Sequence, residues 1–260
     1  MNKRILGGFD FADNGTPFAV YIKTSIGEHS YACGGTLIAP NVVLTAAHCM
    51  HGDSNKVAEP MNVTIGYNSD DLTKMNTVKA ITIAVHPDYA PLTETTNVQN
   101  DIALIEIPEI TLTDTVQTVP IYNGSISSGD ELVAVGWGAT VSSHDVKSLP
   151  YEIKGAVLKV GDDETCSQLI PDYESPNGPT ICTLNKLSPG NSTCKGDSGS
   201  GVFVLVDNTP YLIGLSSAIG SPTTTNCGTP DGFGLYTNVR SYLDFITGVT
   251  SIDANKFLCA

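Results

Sequence analysis

The chain has 260 residues, enough for one large unit or for two lobes sharing an interface. Thirteen basic against 27 acidic residues leave a net charge of −14, which repels phosphate backbones and anionic head groups and so argues against nucleic acid and membrane surfaces as partners. Only 15% of residues are charged and 41% are hydrophobic, with 25 Gly and 15 Pro, a balance that excludes disorder and long coiled coils and fits an all-β, turn-rich secreted chain. No apolar run approaches the length of about 18 residues needed to span a bilayer, and the first residues lack the apolar core of a signal peptide, so the chain reads as processed or recombinant at Met1.

In chain order, short β-branched or alternating runs recur between turn residues: Phe18–Lys23, Thr36–Ile38, Val42–Thr45, Val63–Ile65, Val78–Val85, Ile102–Ile107, Leu132–Val135, Ala156–Val160, Gly201–Leu205 and Tyr211–Leu215. Strands at this spacing predict a barrel or a sandwich. Between Pro108 and Ser128 lies a Thr/Pro/Gly/Ser-rich connection, which sets a boundary near Pro120. Helical periodicity is scarce. Its best instance is Arg240–Thr247, where Tyr242, Leu243, Phe245 and Ile246 share an apolar face suited to a docked C-terminal helix.

Seven cysteines are many for a cytosolic chain and are not set in CxxC pairs, which favours disulfides over zinc. Sequons at Asn14, Asn62, Asn123 and Asn191 carry little weight, because such triplets arise by chance in a Ser/Thr-rich chain. The acidic pair Asp70-Asp71 lacks the ligand spacing of a calcium loop.

Three segments are informative together: Thr45-Ala46-Ala47-His48-Cys49, Asn100-Asp101-Ile102-Ala103-Leu104 and Gly196-Asp197-Ser198-Gly199-Ser200. Each alone has a bland reading, as a packing histidine, a strand start and a turn. Their order in an all-β chain of this length resembles the chymotrypsin-like serine endopeptidases. The resemblance also takes in Arg4-Ile5-Leu6-Gly7-Gly8, Gly136-Trp137-Gly138 and Gly234-Leu235-Tyr236-Thr237-Asn238-Val239, and so covers nearly the whole chain.

That resemblance implies two six-stranded antiparallel β-barrels with a short C-terminal helix. One lobe, 5–120, would carry His48 and Asp101, and the other, 121–250, Ser198 and the specificity pocket. It implies peptide-bond hydrolysis without a cofactor or a metal, in which His48 takes the proton of Ser198 and Asp101 fixes the imidazole tautomer. The N–H groups of Gly196 and Ser198 would hold the oxyanion. It implies disulfides Cys33–Cys49, Cys166–Cys182 and Cys194–Cys227, leaving Cys259 over as a free or capped thiol. It also implies activation by cleavage after Arg4, the new Ile5 amine pairing with Asp197.

Substrate-binding residues carried over from the family are Ser192, Lys195, Ser217, Ile219 and Gly234. Ser192 at the pocket base offers no countercharge to Lys or Arg, and Ile219 shortens the pocket, so a small or medium apolar side chain is expected on the acyl side of the scissile bond (P1). Ala218 stands where the family has tryptophan. Ser200 and Gly201 stand where it has Gly-Pro, a change expected to alter backbone freedom. His29, His51, His86 and His144 read as surface or packing residues, and Asn191 as an unglycosylated sequon in a pocket wall. The implied partners are polypeptide substrates and proteinaceous inhibitors, and the implied state is an extracellular monomer. The competing class, a non-catalytic binding protein or inhibitor on the same scaffold, is disfavoured because His48, Asp101 and Ser198 are all present. An α/β-hydrolase esterase fails on residue order.

Overall fold

A computed structural model describes residues 9–10, 15–51, 56–93, 97–139 and 151–258. Two antiparallel sheets dominate it. The first contains β2 (Ala19–Ile26), β3 (His29–Ala39), β4 (Val42–Thr45), β5 (Val63–Tyr67), β6 (Asn76–Lys79), β7 (Thr82–Val85) and β8 (Ala103–Glu106), in the order β6-β5-β2-β3-β4-β8-β7. Its two edges, β6 and β7, are consecutive in the chain. At the junction Ala80 N–H donates to Val63 O on β5, and Ile81 N–H to Glu106 O on β8. One β-branched run therefore changes partner midway and curls the sheet back on itself, which removes the exposed edges. Taken as one run, β6 and β7 give the six strands expected.

The second sheet contains β9 (Glu131–Gly136), β10 (Lys154–Lys159), β11 (Thr180–Leu184), β12 (Gly201–Val206), β13 (Thr209–Gly220) and β14 (Phe233–Asn238), with the two-residue β1 (Phe9–Asp10) added beside β10. The order β10-β9-β12-β13-β14-β11 is closed by an antiparallel bridge between Val160 and Thr183. The fold is thus all-β, with two curled antiparallel sheets.

Alternation of inward apolar residues fills each sheet. Val20, Ile22, Leu37, Val43, Val63, Ile65 and Ile105 form a buried core within the first, and Leu132, Ala156, Leu158, Ile181, Val202 and Ile213 one within the second. A third cluster joins the two, with Phe18 against Phe203 at 4.7 Å between ring centroids. Trp137 is buried in that cluster, its Nε1–H donating to Asp70 O at 2.9 Å.

Among the described residues there are three short α-helices: α1 (His48–His51), α2 (Asp163–Leu169) and α3 (Leu243–Thr250). Helix α2 starts at Asp162, whose carboxylate accepts from Thr165 N–H at 2.8 Å, and acidic residues follow in the first turn where the helix dipole favours them. Helix α3 is preceded by a 3₁₀ turn, Val239–Tyr242, and ends at Ser251 in the left-handed region. Tyr242 and Phe245 pack on the ring of His86, and Ile246 is fully buried, so the C-terminal helix is docked on its apolar face.

Candidate active site

The first sheet delivers the histidine. Strand β4 ends at Thr45, and the buried small residues Ala46 and Ala47 let the chain turn tightly into α1, whose first residue is His48. The disulfide Cys33–Cys49 ties that turn to β3. The backbone N–H of His48 donates to Asp101 Oδ1 at 2.9 Å, and its Nδ1 lies 2.8 Å from Oδ2. A carboxylate only accepts, so the proton sits on Nδ1 and Nε2 keeps a free lone pair.

Asp101 sits just before β8. Asn100, with φ 51°, takes the left-handed conformation that asparagine tolerates, and its side chain donates to Asp88 O at 2.8 Å and accepts from Tyr242 O–H at 3.2 Å. The second sheet reaches across to the same aspartate: Ser217 Oγ–H donates to Oδ2 at 2.5 Å, and Thr237 Oγ1–H to Asp101 O at 2.9 Å. Burial pushes the Asp101 carboxyl up, but the His48 charge and hydrogen bonds from His48 and Ser217 outweigh it and hold its pKa below the usual range. Burial opposes charging of His48 as well, and Asp101 reverses the balance, so the imidazole pKa lies above 6.5.

The second sheet also delivers Ser198, at the end of the Cys194–Ser198 segment that leads into β12. Gly34 N–H on β3 donates to Ser198 O at 2.8 Å, and Gly199 N–H to Ser216 O on β13 at 2.7 Å, so the serine is clamped between the sheets. Gly196 and Gly199 have φ of 97° and 73°, a region costly for any residue with a Cβ. The N–H groups of Gly196 and Ser198 meet no acceptor among the described residues, whereas those of Asp197, Gly199 and Ser200 all do.

A cavity of about 490 Å³ opens beside Ser198, with Thr193, Lys195, Ser217, Ala218 and Ile219 in its lining. The Ser217 bond to Asp101 fixes the register of this wall. Ile219 packs toward the Cys194–Cys227 disulfide and Ala139. Ser192 and Gly234 are not among the cavity's lining residues. Ser192 is buried and donates to Thr193 O at 2.7 Å, and Gly234 pairs across the strand from Ile219. Thr193 lies 3.1 Å from the hydroxyl of Tyr236.

Asp197 is fully buried. Its carboxylate accepts from Gly138 N–H and Cys194 N–H, each at 2.8 Å. A Cβ on Gly136 or Gly138 would strike its oxygens, at 2.1 and 2.3 Å, so the Gly136-Trp137-Gly138 motif is a cradle for this side chain. Burial drives the Asp197 pKa up to about 7 against those two N–H donors, and no cation faces it among the described residues. Arg4 and Ile5 lie outside the described residues, as do His144, Asn14 and Cys259.

The packing of Ser200 escaped the sequence. Ser200 is expected to alter backbone freedom, yet its φ is not in the left-handed region and its effect is spatial: its Oγ lies 1.9 Å from where a Gly34 Cβ would be. Gly34 is thus confined to glycine by Ser200, and the Gly34-Gly35 pair after Cys33 was the only trace of this. Asn191 donates to Val157 O at 2.9 Å, which occupies the nitrogen a glycan would need. The sulfurs of Cys33 and Cys49 lie close to the His48 ring but are bonded to each other, so the group lacks the thiolates of a zinc site.

Two curled antiparallel sheets, one delivering His48 and Asp101 and the other Ser198, define a protease scaffold of the chymotrypsin type. The trypsin family model matches residues 5–246, and the chain belongs to that family as a serine endopeptidase. It is 30% identical over 251 residues to Trypsin Tyr p 3.0101 of Tyrophagus putrescentiae, covering 95% of this chain and 80% of the relative. It is 28% identical to Brachyurin of Leptuca pugilator, covering 95% of this chain and all of the relative. With Calcium-dependent serine proteinase of Mesocricetus auratus the identity is 29% over 95% of this chain, which spans about a third of that relative (35%).

Proposed function

We propose that Ser198 is the nucleophile, His48 the general base and Asp101 its orienting carboxylate, and that hydrolysis proceeds through an acyl-enzyme on Ser198 Oγ. The observation that carries this reading is the bonded chain Ser217–Asp101–His48 beside a serine clamped between the two sheets. His48 Nε2 takes the Ser198 proton as Oγ attacks the carbonyl, then donates it to the departing amine; water reverses the sequence to release the acid. The free N–H groups of Gly196 and Ser198 receive the developing oxyanion. The lobes divide near Pro120, as 5–120 and 121–250, with β1 lying against the second sheet. Three disulfides fit an extracellular site of action, and the protein acts as a monomer, open to proteinaceous inhibitors and switched on by cleavage after Arg4.

The side chain at P1 enters the 490 Å³ cavity and is small or medium and apolar, because Ile219 narrows one wall and no carboxylate stands among its lining residues. Ser192 closes the base from behind Thr193, and Gly234 backs Ile219. Peptides that vary P1 among Ala, Val, Leu, Phe and Arg test this, with Ala to Leu preferred and Arg poorest. Ile219→Gly is expected to raise kcat/KM for Phe relative to Ala by at least about 10-fold, since a single methylene in an apolar pocket is worth about 10- to 200-fold. An unchanged Phe to Ala ratio would remove Ile219 from the specificity wall.

A further inference from the structure

Ser200 carries a buried hydroxyl that meets no hydrogen-bond partner among the described residues. Its backbone is fixed on both sides, the N–H donating to Asp197 O at 3.0 Å and the carbonyl accepting from Ser216 N–H at 2.8 Å. Glycines of both sheets make room for the side chain, Gly34 on β3 and Gly136 at the end of β9, since a Cβ on either would crowd Ser200 Oγ. The Gly136 position also meets the neighbouring carboxylate: Asp197 Oδ1 and Ser200 Oγ both lie within 3.1 Å of the point where its Cβ would stand. Asp197 lacks donors as Ser200 lacks an acceptor. A carboxylate accepts about four hydrogen bonds, and among the described residues this one receives two, from Gly138 and Cys194 N–H. A buried donor and a buried acceptor left open side by side are costly apart and favourable together.

We propose that Ser200 is a positioning residue for the oxyanion donors: in the chain not cut after Arg4, a turn about its Cα–Cβ bond lets Oγ–H donate to Asp197 and hold the Cys194–Ser198 segment partly in its active form. This assignment rests on the proposed roles of Asp197 as partner of the Ile5 amine and of the Gly196 and Ser198 N–H groups as oxyanion donors. With the backbone pinned, rotation among staggered positions is the freedom left to the side chain. The hydroxyl supplies a dipole where the amine later supplies a full charge, so it holds the segment more weakly. The uncut chain is therefore weakly active rather than inert, and the hydroxyl matters little once the ammonium is seated. A donor to the carboxylate also favours its charged form, against the burial that drives its pKa up to about 7. In the uncut chain it thus lessens the loss of stability as pH rises from about 4 to 7. Tyr236, the titratable neighbour that feels the Asp197 charge, is raised to about 12 and keeps its proton over this range.

The test compares the Ser200 protein with Ser200→Ala in two forms, one cut after Arg4 and one kept whole by Arg4→Gln. In the whole chain Ser200→Ala is expected to lower kcat/KM by about tenfold or more, the scale of one hydrogen bond to a charged group, and in the cut protein by less than about threefold. The melting temperature of the whole chain is followed over the same rise in pH, and its fall is expected to be steeper in Ser200→Ala. A side chain that merely fills its slot would change the activity of both forms alike and leave the pH slope unmoved, and either result overturns the proposal. So does a whole Ser200 chain with no measurable activity, since nothing would then be held in place. Failure of the underlying roles looks different: the Ser200 protein as active whole as cut, or peptidase activity that survives Ser198→Ala.

Discussion

Ser198→Ala is expected to lower kcat by about 10⁵- to 10⁶-fold while leaving the melting temperature within a few degrees of wild type. The substitution removes one oxygen from a half-buried side chain whose backbone carbonyl, not its hydroxyl, holds the two sheets together through Gly34. Binding and the N–H groups of Gly196 and Ser198 persist, so a residue of about 10³–10⁴-fold over water should remain. Burst kinetics with an activated ester give the second readout: wild type releases one equivalent of alcohol rapidly as the acyl-enzyme accumulates, and the variant shows no burst. Full activity in a preparation free of other proteases would remove Ser198 from the mechanism.

Cleavage after Arg4 is expected to raise activity by about 10²- to 10³-fold, the scale of losing or gaining an oxyanion donor. The physical demand for a cation comes from Asp197. Burial lifts its pKa to about 7, and a displacement of that size corresponds to roughly 4 kcal/mol between its neutral and charged forms. With a raised pKa the folded chain binds the proton more tightly than the unfolded one. Stability of the uncut chain therefore falls as pH rises from about 4 to 7. A protonated Ile5 amine beside the carboxylate reverses this, so the cut form should lose the decline and melt higher at pH 7. The amine pKa rises above its ordinary 7.7–8.0 in the pair, and its stabilisation is complete below the unfolded value and lost as pH climbs through the folded one. Activity of the cut form should consequently fall on the acid side as His48 protonates, at a pH above 6.5, and on the alkaline side as Ile5 deprotonates. Uncut protein as active as cut, or an acetylated Ile5 amine with full activity, would contradict the activation model.

The strands were legible where a run does not change partners midway. Val42–Thr45 is a strand as read, and Ala19–Ile26 and Glu131–Gly136 differ from the expectation only at their ends. Val78–Val85 reads as one strand because its composition is uniform, yet it breaks at Ala80–Ile81 where the hydrogen-bond partner changes from β5 to β8, a fact of barrel closure that no local pattern encodes. Helix α2 was missed although Asp162-Asp163-Glu164-Thr165 is a capping sequence, since seven residues carry too little periodicity to register. Strand β11 was missed as well, hidden behind the disulfide at Cys182.

The candidate site divides in the same way. The motifs around His48, Asp101 and Ser198 could be picked out by resemblance, because each is local. The bond from Ser217 to Asp101 spans 116 residues, and the fit of Ser200 against Gly34 a still longer stretch of chain, so both are products of folding that the linear order conceals. Asp197 shows the difference most clearly. Its sequence context suggests a turn and, by resemblance, a pairing with the Ile5 amine, and the buried cradle of Gly136 and Gly138 supplies the physical reason that a carboxylate there demands a partner.

The central claim is that Ser198 Oγ is a nucleophile activated by His48, and covalent labelling tests it most directly. The protein cut after Arg4 would be treated with a fluorophosphonate, and intact mass followed by peptide mapping would locate the adduct. One equivalent on Ser198, absent from Ser198→Ala, strongly slowed in His48→Ala, and formed in step with loss of peptidase activity, is the predicted result. An adduct on another serine, or peptidase activity that survives stoichiometric labelling of Ser198, would contradict the account.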